Sequence, residues 1–273
     1  MKNNIFNLNT KPKSLVLATA LLVLTASSCS VFKKNKRKKA AAASTAALAT
    51  KPKADSAKSV IRPYSEIVTA KAVTQKGLFT VHKVNDKYFF EIPNQLLKKE
   101  ILAVNRLSKS TPGAGNYGGE EVSSRIIYWE LGPNNKLFLK VSATVSIADS
   151  SDMISKAVAS SNLNPIMAAF PIKAKSKDSS GVVIDVTDFL ISETPLLSFN
   201  GENKKSYGLG PQVADRSYIE SVKSFPINTE VKSIRTYTAV GGNLPAVSEA
   251  GAITLGMNTS FIKLPENPLR KRI

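Results

Sequence analysis

The chain has 273 residues but only one cysteine, Cys29, and one histidine, His82. It also lacks an apolar run of the length a membrane-crossing helix needs, about 20 residues. Each scarcity excludes something. A single cysteine builds no disulfide framework, so the fold is held by its core. A single histidine cannot make a zincin site, which takes two histidines one helical turn apart with a glutamate between them. A serine or cysteine triad usually needs a histidine base as well. His82 falls in a strand candidate between Val81 and Lys83, where a histidine is ordinarily satisfied by neighbours or solvent. No internal repeat is present, and no strand–helix alternation argues for a parallel sheet.

The N-terminus is informative. Lys2, Lys11 and Lys13 precede an apolar stretch over 15–24, followed by the small residues Thr25, Ala26, Ser27 and Ser28. This order of charged, apolar and small segments predicts a secretory signal peptide over 1–28, cut at Ser28. Cys29 stands where a lipoprotein signal places its lipid-bearing cysteine, although Ala26 replaces the usual Leu, Val or Ile three residues earlier. The alternative is an ordinary signal with an idle thiol. A lone free thiol is unusual in an exported protein, which favours Cys29 as the lipid attachment.

Residues 29–60 read as a tether. They carry Lys33, Lys34, Lys36, Arg37, Lys38 and Lys39, then an alanine-rich stretch, then Lys51 and Lys53. The formal charge of +18 is concentrated there and in the signal, which together hold 12 of the 38 basic residues but only one acid, Asp55. The basic cluster beside a lipid anchor favours anionic headgroups by about 1 kcal/mol per charge near the surface; a solvated spacer is the plainer alternative. Ser30, Val31, Phe32 and Lys33 follow Cys29 without an acidic cluster, which points to an outer-membrane lipoprotein facing the periplasm. Nucleic-acid binding is not expected, because the rest of the chain lacks a basic stripe interleaved with aromatics.

From residue 77 the pattern is β. Residues 78–84 and 87–92 are rich in β-branched and aromatic side chains with Asn85 and Asp86 between them, which predicts a tight hairpin. Further strands are predicted over 100–107, 122–131, 136–147, 166–174, 182–186, 218–225, 230–240 and 252–264. The alternation is cleanest over 136–147, where Leu137, Leu139 and Val141 share one face. Residues 63–74 hold one or two helical turns, and 151–160 is the best helix candidate. The stretch 189–214 is irregular. The fold class is therefore mainly β, an antiparallel sandwich or half-barrel with small helical insertions (a β-rich α+β chain). The organisation predicted is a small hairpin domain over 61–110 and a β-rich accessory domain over 111–273, packed together.

Three motifs need weighing. Gly113, Gly115 and Gly118 spell the dinucleotide fingerprint G-x-G-x-x-G, but the residues from Glu120 on read as strand, whereas the fingerprint opens a helix. Asp185 and Asp188 are close enough for acid–base work or cation binding; a solvated edge or a turn cap explains them more simply. Asn258-Thr259-Ser260 matches a glycosylation acceptor in form only. The aromatics Tyr88, Phe89, Phe90, Tyr117, Tyr128 and Trp129 offer a binding platform or core packing.

Several segments taken in order carry a resemblance: Pro63-Tyr64-Ser65-Glu66-Ile67, the hairpin from Lys76 to Pro93, Val183-Ile184-Asp185-Val186-Thr187-Asp188-Phe189, Asp215-Arg216-Ser217-Tyr218-Ile219, and the end from Leu264 to Arg272. Together they resemble the N-terminal region of large bacterial exported zinc-dependent metalloproteases. That family has two poorly characterised domains ahead of a catalytic domain of the H-E-x-x-H type. The resemblance covers roughly 61–272. It implies a non-catalytic accessory portion, truncated, split or stand-alone, with no cofactor of its own and with zinc only in the catalytic domain, which is missing here. Expected partners are the membrane and either such a catalytic domain or a polypeptide substrate. The alternative is a stand-alone cell-envelope lipoprotein that binds peptide or glycan. No catalytic or metal-binding residue carries over.

Overall fold

The computed structural model describes residues 60–113, 117–142, 154–240 and 249–265. Cys29, the Ser28 junction, the cluster from Lys33 to Lys39, the outer half of the 136–147 strand and the segment 268–272 lie outside the described residues. No described helix is long and apolar enough to cross a membrane.

In chain order the elements are α1 (Tyr64–Ile67), β1 (Val73–Gln75), β2 (Thr80–Val84), β3 (Lys87–Pro93), β4 (Ile101–Lys109), β5 (Glu121–Gly132), β6 (Lys136–Val141), α2 (Ile154–Ser161), β7 (Ile166–Lys175), β8 (Gly181–Asp185), α3 (Thr187–Ile191), α4 (Gly201–Ser206), β9 (Leu209–Gln212), β10 (Tyr218–Ser224), β11 (Asn228–Ala239) and β12 (Ala252–Lys263). The expected mainly β, antiparallel class is what the structure has. Residue 154 does open a helix, inside the predicted 151–160 span.

All twelve strands of the described residues belong to one sheet. Eleven lie on a single path, β1-β2-β3-β8-β7-β6-β5-β4-β12-β11-β10, and β9 joins the far end of β11. Every neighbouring pair is antiparallel. The hairpins form where short side chains tolerate a left-handed backbone. Asn85 has φ 53° between β2 and β3, Asn134 and Asn135 have φ 57° and 55° between β5 and β6, and Ser179 has φ 60° between β7 and β8.

The sheet curls until its halves face each other. Phe79, just ahead of β2, has its ring 6.2 Å from Trp129 of β5 and 5.9 Å from Phe261 of β12. Phe90 of β3 sits 6.3 Å from Phe261. These strands are distant along the path, so only a folded-over sheet lets their rings touch. The main core fills this concave side with alternate residues of nearly every strand, together with Val186, Leu190, Leu196 and Leu197 from α3 and the chain on either side of it. A second apolar cluster, including Phe199, Leu209, Tyr237, Leu255 and Met257, lies under α4 and β9. A third, Phe89, Ala174 and Val183, lies on the convex side and is covered by Tyr64, Ile67 and Val68. The sheet does not close; the result is an open, sandwich-like half-barrel.

The structure departs from the sequence expectation in small elements. β1 has three exposed residues and no apolar alternation, so only its pairing with β2 makes it a strand. The stretch 189–214, expected to be irregular, begins inside α3 and contains α4 and β9.

Candidate functional site

Three places concentrate polar groups against the sheet. The first surrounds His82, which is 1% exposed. β1 sets Thr74 directly opposite His82, and Thr74 Oγ1 lies 2.9 Å from Nδ1. On the other side of the ring, Nε2 lies 3.0 Å from Glu91 Oε2. The Tyr64 hydroxyl donates to the same carboxylate oxygen at 3.3 Å, and its ring meets the imidazole edge-on at 6.0 Å. The His82 hydrogen bond holds the Glu91 carboxyl below its ordinary range. Burial, reinforced by Glu91, pushes the Tyr64 phenol up to about 12. Both imidazole nitrogens are engaged inside the fold, so the ring ties α1 and β1 onto the convex face.

The second place is Arg235 on β11, also 1% exposed. Its guanidinium faces no carboxylate among its hydrogen-bond partners. It donates to the carbonyls of Leu190 at 2.9 Å, Ile191 at 3.0 Å and Ser192 at 2.8 Å, and to Gln212 Oε1 at 3.0 Å. These carbonyls close the C-terminal end of α3, where cations are favoured. Burial draws the Arg235 pKa down. The interaction fastens α3 into the concave side. Nearby, Lys204 pairs with Glu193 and lies over the Tyr237 ring at 5.4 Å.

The third is the gap left by incomplete closure. β1 and β10 end the path, and they are pinned together at one point. Leu78 N donates to Phe225 O at 2.7 Å, Ser224 Oγ to Phe79 O at 2.6 Å, and Ser224 N to Gln75 Oε1 at 3.3 Å. Gly77 permits the approach: a Cβ there would stand 2.4 Å from Ser224 Oγ and 2.5 Å from Phe225 N. From the pin outward the gap holds two cavities of about 210 and 290 Å³. The first is lined by Val73, Val81, Glu220 and Lys223 among others, the second by Asp86, Thr187, Asp188 and Tyr218 among others. Lys83 and Tyr88 line both.

The residues singled out in the sequence fall into place. Asp185 accepts from the Thr187 N–H at 3.1 Å and its hydroxyl at 2.7 Å, and pairs with Lys87 at 3.5 Å; it caps the turn into α3. Asp188 faces the larger seam cavity instead. Gly113 and Gly118 precede β5, not a helix, so the dinucleotide geometry is absent there; Gly115 lies outside the described residues. The Asn258 amide donates to Glu230 at 2.9 Å, and Thr259 is buried, bonded to Asn105 Oδ1 at 2.9 Å. Of the six aromatics, Tyr88, Phe89, Phe90 and Trp129 are buried, whereas Tyr117 is 73% exposed. Among the described residues no three His, Cys, Asp or Glu side chains are grouped to hold a metal ion. Arg235 escaped the sequence reading. Its signal was its place in the inward series Val231, Ser233, Arg235, Tyr237, where a charge needs a buried partner.

A family model described as a domain of unknown function, DUF5117, matches residues 119–273. A second, DUF5118, also a domain of unknown function, matches residues 61–110. No curated protein and no solved structure matches. The two matched stretches are woven into one sheet: β3 pairs with β8, and β4 lies between β5 and β12. The DUF5117 model spans more than half of the chain, which therefore belongs to the DUF5117 family, with a DUF5118 stretch ahead of it.

Proposed function

We propose that this chain is a lipid-anchored, non-catalytic accessory module of a zinc-dependent metalloprotease-like lipoprotein, one that positions a catalytic domain or a polypeptide substrate. The observation that carries the reading is the state of its single histidine. Zinc proteases need several nitrogen or carboxylate ligands around an open position. His82 is the only imidazole in the sequence, is buried, and has both nitrogens within 3.0 Å of Thr74 or Glu91. These residues do not fit a catalytic zinc. The metal and its base belong to residues beyond this sequence. The anchor is Cys29, exposed by cleavage after Ser28, with the cluster from Lys33 to Lys39 lying on anionic lipid at the periplasmic face of the outer membrane.

The test is direct. Purified chain, incubated with zinc and labelled casein, is expected to retain less than one zinc per chain after dialysis and to release no label. Zinc-dependent release abolished by a chelator overturns the reading.

The seam cavities favour a second reading, a stand-alone envelope lipoprotein that captures peptide or glycan. The DNA that follows the codon for Ile273 separates the two. An adjacent H-E-x-x-H reading frame supports the accessory module, and an unrelated gene supports the binder.

A further inference from the structure

We infer that the seam between β1 and β10 is an acceptor for one extended polypeptide strand, which pairs with the edge of β10 left free among the described residues and runs antiparallel to it. The inference deepens the proposed handling of a polypeptide and rests on that reading.

The first argument is parity. The path from β1 to β10 contains eleven strands, all joined antiparallel. An odd number leaves the two end strands pointing the same way. The pin agrees with this: Gln75, which ends β1, meets Ser224, which ends β10. The two ends therefore cannot close on each other with the antiparallel pairing used everywhere else. One more strand, running opposite to both, completes the pattern. Free strand edges recruit extended chains through backbone hydrogen bonds, with side-chain pockets supplying selectivity.

The second argument is charge. Near the pin the cavity wall holds Lys223, while Glu220 is drawn to Lys109 at 3.5 Å. At the wide end two carboxylates, Asp86 and Asp188, stand with one cation, Lys83; the two aspartates have no ion-pair partner among the described residues. A strand antiparallel to β10 begins near Ser224 and ends near Tyr218. The fitting occupant thus carries an acidic residue toward its N-terminus and a basic one toward its C-terminus, with small or β-branched residues between them facing Val81, Tyr88 and Val222. The occupant is an extended segment of another polypeptide; a second copy of this chain is an outcome the test separates.

The probe is the peptide acetyl-Glu-Val-Thr-Val-Thr-Val-Lys-amide, added to the purified full chain and followed by amide hydrogen exchange. The expected result is exchange at least about tenfold slower in β10, with the already paired β11 unchanged. The peptide of reversed order is expected to bind about fivefold more weakly, as is the original peptide to Lys223→Glu. Methylation of alternate peptide nitrogens is expected to abolish binding. Retained binding by the methylated peptide overturns the inference, as does protection confined to other strands, or a β10 edge already protected by self-association in a sedimenting dimer. Protection elsewhere removes the seam but leaves the accessory role standing. Casein cleavage by the isolated chain removes the accessory role but leaves the seam.

Discussion

Arg235 and His82 are equally buried, yet they hold different parts of the sheet by different physics. Arg235 carries a fixed charge and satisfies it with the carbonyls at the end of α3 and with Gln212. His82 shares its two nitrogens between a hydroxyl and a carboxylate. The first arrangement contains no group that titrates near neutral pH and secures the interior plug of the half-barrel. The second contains the Glu91 carboxyl, held below its ordinary range, and the Tyr64 phenol, pushed up to about 12, and secures an outer strap, α1 and β1, beside the open seam. β1 and its covering turn are therefore expected to loosen before β11 and α3.

The sharpest way to break the comparison is Arg235→Ala. It strands several buried carbonyls and leaves a large void, so a loss of about 3–5 kcal/mol is expected in urea unfolding. Arg235→Lys is expected to recover only part, because an ammonium cannot reproduce the planar fork. Next is Gly77→Ala, whose Cβ would collide with Ser224 and the backbone of Phe225. The expected cost is about 1–3 kcal/mol, with faster amide exchange in β1 and β10 and none in β11.

Glu91→Gln attacks the strap and is expected to cost about 1–2 kcal/mol at pH 7. Its pH dependence sharpens the contrast. The native carboxyl sits below its ordinary range, so its contribution is present above that range and fades as pH falls through the depressed value. Urea midpoints measured from pH 7 to pH 3 should show this acid loss in the native chain and lack it in Glu91→Gln. The smallest effect belongs to Tyr64→Phe, about 0.5–1 kcal/mol near neutrality. The Tyr64 phenol rises from 10.0 to about 12 on burial, so its stabilising share is full below pH 10 and is lost toward pH 12. That alkaline component should disappear in the variant.

The sheet was legible wherever alternation or turn chemistry is local. Asn85 and Asp86 mark a hairpin, and Asn134 and Asn135 mark another, because residues that tolerate positive φ stand between β-branched runs. β12 was readable from Ile253, Leu255, Met257 and Phe261, with Thr259 completing the inward row through its bond to Asn105. β1 was not readable, since Val73, Thr74 and Gln75 are all exposed and owe their conformation to a partner strand. α3 is five residues long, too short to form by itself, and its holding group, Arg235, lies more than forty positions later. The His82 cluster was half legible. A strand histidine satisfied by neighbours was expected, but Tyr64 and Glu91 reach it only through the fold. The seam follows from the parity of strand order, which no local pattern encodes.

A chain with one imidazole offers an unusually clean readout of whether that group is structural or a metal ligand. The ring nitrogen and carbon–proton signals of His82 can be followed by NMR while zinc is added to one equivalent and beyond. The account predicts that both nitrogens stay at their metal-free positions while the fold is intact, because Thr74 and Glu91 already occupy them. A metal-bound shift of either nitrogen at one equivalent of zinc, with the β-sheet signals unchanged, would contradict it.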